Sequence, residues 1–157
     1  MKGMLQRVVC LGVLTTVLLM TAATAEAHEC SMLGAAGRYG FTLTGVLITS
    51  SGAVPVAAVG KATVDASGHV TGGESRSVGG EYAEETMSGT LTVNSDCTGT
   101  MTVEFFEAGN LVRTSVLSVA FVDNQNELQM VQKSLTLPNG AAVPVVITAV
   151  AKKQFLE

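Results

Sequence analysis

Few residues in this chain have types and spacings that could do chemistry. His28 and His69 are its two histidines. A metal site needs clustered His, Cys or carboxylate ligands, and a nucleophilic triad needs a base held by a third group. Neither histidine has such sequence neighbours. His28 would stand near the amine of a processed N-terminus, where copper or nickel could be chelated incidentally beside Glu29 and Cys30. His69 reads as a residue at a turn or strand start. No serine lies in G-x-S-x-G, and no glycine-rich phosphate loop opens a helix, so Gly72-Gly73 and Gly79-Gly80 read as turn glycines. These absences set the expectations of no catalytic residue, no metal and no cofactor.

The carboxylates offer two further candidates. Glu81, Glu84 and Glu85, with Tyr82, follow Val78-Gly79-Gly80. They read as a solvated hairpin loop in preference to a cation-binding loop or a guard at a cavity mouth, because a cation site needs convergent oxygens, not adjacent ones. Glu104 lies mid-strand on the face opposite Phe105 and is expected outside, with Arg113 as its cross-strand surface partner. An inward Glu104 would instead be a buried carboxylate with a raised pKa.

The elements that must position such groups are strands. From Gly37 onward the apolar pattern has period two, and no ten-residue stretch carries a helical stripe. The pattern predicts strands over 39–49, 54–64, 69–78, 86–93, 100–107, 111–122, 127–137 and 141–152. The third is weak, polar and glycine-rich. Pro138-Asn139-Gly140 is a strong turn. Three junctions share one plan, at Asp65-Ala66-Ser67-Gly68, Asn94-Ser95-Asp96-Cys97 and Asp123-Asn124-Gln125-Asn126. In each a β-branched strand end meets Asp or Asn, whose side chains bond turn backbone.

Recurrence at this spacing predicts consecutive hairpins, hence an eight-stranded antiparallel meander. Closing it into a barrel removes both edges, and strand glycines such as Gly45, Gly60, Gly89 and Gly99 permit the bends. A β-sandwich is the alternative, disfavoured because hairpin repeats do not make Greek-key crossings.

Composition narrows the class of partner. Of 157 residues, 47% are hydrophobic and 14% charged, enough to bury a core, and the formal charge is −4. With no basic run longer than Lys152-Lys153, the chain offers nothing to nucleic acid. Lys2 and Arg7, the apolar stretch over 8–20 and the small residues Ala23, Ala25 and Ala27 are in signal-peptide order. We therefore expect a cleaved leader over 1–27, one β-barrel domain over 28–157, a secreted or periplasmic location and no membrane span after cleavage. A retained anchor is disfavoured because the apolar stretch is shorter than the ~20 residues of a span. A lipid anchor on Cys30 is disfavoured by His28 and Glu29 just before it.

Cleavage removes Cys10 and leaves Cys30 and Cys97 in an oxidising compartment. A disulfide between them is expected, worth roughly 4 kcal/mol from loop entropy, with two separate buried thiols as the alternative.

Two stretches carry a resemblance. Gly37-Arg38-Tyr39-Gly40-Phe41, after Cys30, and Gly89-Thr90-Leu91-Thr92-Val93-Asn94-Ser95-Asp96-Cys97-Thr98-Gly99-Thr100 are similar to a group of small exported bacterial proteins of unknown function. Their shared motifs are G-x-Y-G-F and V-N-x-D-C-T-G-T. The likeness spans most of the mature chain, including 55–68, and departs at Leu91, where such proteins tend to carry an aromatic residue. It implies a compartment, a fold and a disulfide, and no chemistry. The glycine and aromatic residue opening the first strand more distantly resemble the calycin arrangement.

An eight-stranded barrel is filled by side chains or holds one small ligand. The expected lining is Tyr39, Phe41, Leu43, Met87, Leu91, Met101, Phe105, Leu117 and Phe121, with Leu47, Val103, Val119, Val145 and Ile147 on the same faces. The leading expectation is a small apolar ligand inside, to whose shape the unbranched methionines adapt. A plain packed core is the bland alternative. A non-enzymatic envelope or interaction protein is the second functional reading, and a barrel enzyme of cyclase-like type, needing inward Glu104 or Tyr82, is the third.

Overall fold

The computed structural model describes residues 29–154, so the expected leader and His28 lie outside the described residues. Successive side chains of an extended chain point to opposite faces, and the alternating sequence resolves into eight strands. They are β1 (Gly37–Thr49), β2 (Gly52–Val64), β3 (His69–Val78), β4 (Glu81–Val93), β5 (Thr98–Glu107), β6 (Asn110–Val122), β7 (Glu127–Thr136) and β8 (Val145–Lys153). Each pairs antiparallel with the next, and β1 pairs back with β8 from Tyr39↔Lys153 to Leu47↔Val145. The sheet is a closed meander barrel, so the sandwich alternative falls.

Three expectations need correction. The fourth strand starts at Glu81, because the acidic segment is not a loop: its register with β3 runs from Val78↔Glu81 to His69↔Thr90. The last strand starts at Val145. Pro144 has no N–H to give a ladder, and 137–144 forms a loop tied back by Val143 N to Leu135 O (2.9 Å) and Ile48 N to Pro144 O (2.8 Å). Gly72 and Gly73 lie inside β3, opposite Ala62 and Lys61. A Cβ at Gly72 would collide with the Lys61 carbonyl oxygen and crowd Met87, so glycine there lets the wall close. Gly79-Gly80 does turn, with φ of 59° and 95°.

The three Asp/Asn junctions gather at one end of the barrel, the end at which β1 begins. Asp65 Oδ1 accepts from the backbone N–H groups of Ser67 (2.8 Å) and His69 (2.9 Å), and Asp96 Oδ1 accepts from that of Thr98 (3.0 Å). The Ser67 hydroxyl and the His69 N–H hold the Asp65 carboxyl down at about 2. His69 Nδ1 sits 3.3 Å from Asp65 Oδ2, the turn position expected for it.

This end is plugged. One helical turn, α1 (Met32–Ala35), is capped by Ser31, whose Oγ accepts from Gly34 N at 3.1 Å. A single turn is too short to show periodicity in the sequence, although Ser31 is a visible cap. The Cys30–Cys97 disulfide, with Cα atoms 4.9 Å apart across 67 positions, ties the plug to the β4–β5 turn. Gln125, from the β6–β7 turn, donates to Ser31 O (2.7 Å) and accepts from Ser31 N (3.1 Å). The Tyr39 hydroxyl donates to Ala35 O at 2.6 Å, and Lys153 Nζ to Gly34 O at 2.7 Å. Burial pushes the Tyr39 phenol up to about 12.

Candidate functional site

The interior divides into two regions. Next to the plug, Tyr39, Val70, Leu91, Phe121 and Leu128 are buried against one another. Above them lies a void of about 50 Å3 with apolar walls that include Phe41, Ala62, Met87, Met101, Met130 and Ala149. Toward the opposite end a larger cavity of about 200 Å3 is lined by Leu43, Leu47, Val56, Val78, Val112, Leu135 and Ile147, with Leu137 and Val143 from the 137–144 loop. Leu43, Glu74, Phe105 and Leu117 border both spaces. Phe41, Leu43, Leu47, Val56, Val78 and Val112 point inward yet are only half-buried. A filled core would bury such side chains completely.

All nine residues expected to line the interior face it. Leu43, Phe105 and Leu117 reach the larger cavity; Tyr39, Phe41, Met87 and Met101 border the smaller void alone; Leu91 and Phe121 border neither and pack near the plug.

Four charged residues missed as interior groups stand between the two regions. On β3, Glu74 and Arg76 share the inward parity of Val70 and Val78; on β4, Glu85 shares that of Met87 and Leu91; on β6, Arg113 shares that of Ser115 and Leu117. Glu74 and Glu85 sit directly opposite each other across the β3–β4 ladder, with side chains 1% and 0% exposed. Like charges so placed repel unless cations intervene. Arg113 donates through Nη2 to Glu74 Oε1 at 2.6 Å and through Nη1 to Glu85 Oε2, and Arg76 donates through Nε to Glu85 Oε1. The Arg113 guanidinium also lies 3.8 Å from the Phe105 ring centroid. Both oxygens of Glu85 are thereby used. Glu74 Oε2 is buried with no hydrogen-bond partner. Burial pushes the Glu74 carboxyl above its ordinary value, against the pull of Arg113. Nearby, Gln132 Nε2 donates to Ser115 Oγ at 3.0 Å.

The expected Glu104–Arg113 surface pair is not formed. Glu104 is exposed as expected, but it stands opposite Thr114. Arg113 pairs with Phe105 because a bulge inserts Val112 where Phe106 meets Leu111, and the guanidinium turns inside. Tyr82 is 66% exposed and bonds Glu84 Oε1 at 2.8 Å on the outer wall. Neither residue required by the enzymatic reading therefore faces the interior. The signal for the real cluster was present in the alternation itself, which gives Glu85 the parity of Met87 and Arg113 that of Leu117. Among the described residues no group of three or more His, Cys, Asp or Glu is placed to hold a metal, and no helix is long and apolar enough to cross a membrane.

Known proteins match this chain through fold. No protein-family model and no curated protein matches it. Among solved structures, the designed barrel EF1p2_mFAP2b bound to DFHBI superposes with a TM-score of 0.56 at 11% identity, over 82% of this chain and all of that one. The redesigned β-barrel mFAP1, also bound to DFHBI, gives 0.51 at 13% identity, over 78% of this chain and 98% of that one. A de novo designed transmembrane β-barrel gives 0.56 at 12% identity, over 74% and 95%. At these identities the likeness is one of fold alone.

Proposed function

We propose that this protein is a non-enzymatic carrier or receptor that holds one small, largely apolar molecule inside its barrel. The carrying observation is the cavity of about 200 Å3 at the end away from the plug, where the inward-facing Leu43, Leu47, Val56, Val78 and Val112 are only half-buried. Burial of apolar ligand surface there is worth about 25 cal/mol per Å2, and the polar groups at its floor fix orientation. The designed barrels of similar fold that are bound to DFHBI support the reading. A secreted or periplasmic location belongs to the same proposal, and the Cys30–Cys97 disulfide supports it.

Native mass spectrometry of the protein purified without detergent, followed by solvent extraction, tests the binding reading. One copy of a small apolar molecule per chain, or uptake of one from a supplied mixture, is the expected result. A chain that stays at its bare mass with every mixture supplied argues for a plain core.

A specific feature favours the second reading, an envelope or interaction protein. On the outer wall of β7, β8, β1 and β2, three successive rows (Gln129–Val150–Thr42–Val59, Val131–Thr148–Thr44–Ala57 and Val146–Val46–Pro55) carry no charge. Val59, Val131, Val146 and Val150 are exposed there. Loss of a pulled-down partner on Val146→Lys is the outcome that reading requires.

A further inference from the structure

We propose that the cavity is built for an uncharged aliphatic alcohol, whose hydroxyl docks on the free oxygen of Glu74 while its chain lies along Leu43, Leu47 and Ile147. This rests on the interior-binding reading and adds the chemistry of the ligand's head. Three observations select that head.

The first is the orphan acceptor. Of the four carboxylate oxygens in the cluster, three accept from Arg76 or Arg113, and Glu74 Oε2 is buried with no partner. A buried polar atom left unpaired is costly, and native interiors rarely keep one. Glu74 borders the cavity together with Arg76 and Arg113.

The second is charge balance. Two buried carboxylates and two guanidiniums sum to zero within the barrel, and the exposed Glu107, 3.8 Å from Arg76, stands on the solvent side. A ligand bringing a carboxylate or an ammonium would leave an unbalanced charge among apolar walls, where desolvation is expensive. A neutral head avoids this.

The third is hydrogen-bond versatility. A hydroxyl both donates and accepts, so it satisfies Oε2 whether Glu74 is ionised or protonated, whereas an ether oxygen only accepts.

The test is calorimetric titration of the intact mature protein with four probes of matched length: 1-octanol, methyl heptyl ether, octanoate and octylammonium. The proposal expects 1-octanol to bind at least about 10-fold tighter than each of the others, the size of one buried hydrogen bond. It also expects this preference over the ether to vanish in Glu74→Leu and to persist in the outer-wall variant Glu104→Gln. The comparison within the unmutated protein needs no variant, so a Glu74→Leu chain that fails to fold does not remove the test. Equal binding of alcohol and ether, or tighter binding of either ion, overturns the proposal and leaves interior binding standing. No heat or competition with any probe overturns both.

Discussion

Replacing Arg113 with methionine keeps a long side chain over Phe105 and removes the guanidinium that Glu74 and Glu85 share. Breaking a buried ion pair by deleting one partner costs roughly 3–5 kcal/mol, because the other charge stays buried and uncompensated. Arg113 is 15% exposed and Arg76 remains on Glu85, which places the expected loss at the low end, about 3 kcal/mol. With a urea slope of about 1–3 kcal/mol/M, the midpoint falls by roughly 1–3 M at pH 7. The loss is electrostatic, so it must shrink in acid, and at pH 4 the two proteins should differ by less than they do at pH 7. Replacing the cluster together, as Glu74→Leu, Arg76→Met, Glu85→Met and Arg113→Met, should leave stability unchanged or raise it by about 1–4 kcal/mol. Urea unfolding followed by far-ultraviolet circular dichroism at both pH values reads all three proteins. A loss below about 1 kcal/mol at pH 7, or an equal loss at pH 4, refutes the buried-cluster reasoning.

Replacing Cys30 and Cys97 together by alanine frees a loop of 67 positions and should cost roughly 4 kcal/mol, seen as a melting point lower by on the order of 12 °C. Tyr39→Phe deletes the hydroxyl that bonds Ala35 O, and a loss of about 1 kcal/mol in urea unfolding is expected, with the tyrosine signal near pH 12 reduced. Asp65 is held at about 2 when folded against 3.8 as its ordinary value, so its contribution is intact above pH 4 and disappears as pH falls toward 2. A stability-against-pH curve for Asp65→Asn should be flatter than the unmutated curve in that window; superimposable curves contradict the turn geometry.

The eight strands were legible because each exposes one face to an interior and one to solvent, which imposes period two on the sequence. The meander was legible because Asp65, Asn94 and Asp123 repeat the same junction, and its closure because an open meander leaves two unpaired edges. The site was read less well, and the reason is physical. Its lining follows the apolar parity, so Leu43, Phe105 and Leu117 were found, but its floor consists of charged residues placed where alternation calls for apolar ones. Three acids in five positions made 81–85 look like a solvated loop, although the parity of Glu85 matches that of Met87. The bulge at Val112 cannot be read from one strand alone, because it exists only relative to β5. Glu74 was hidden among the polar, glycine-rich residues of β3, whose small side chains serve the wall and not the core.

The central claim is that the space inside the barrel takes a guest. Methyl-labelled protein titrated with 1-octanol and followed by nuclear magnetic resonance tests it most directly. The account predicts shifts at the methyl groups of Leu43, Leu47, Val56, Leu117, Val143 and Ile147, with Val59, Val131 and Val146 on the outer wall unmoved. Shifts confined to the outer wall, or none up to the solubility limit of the alcohol, contradict it.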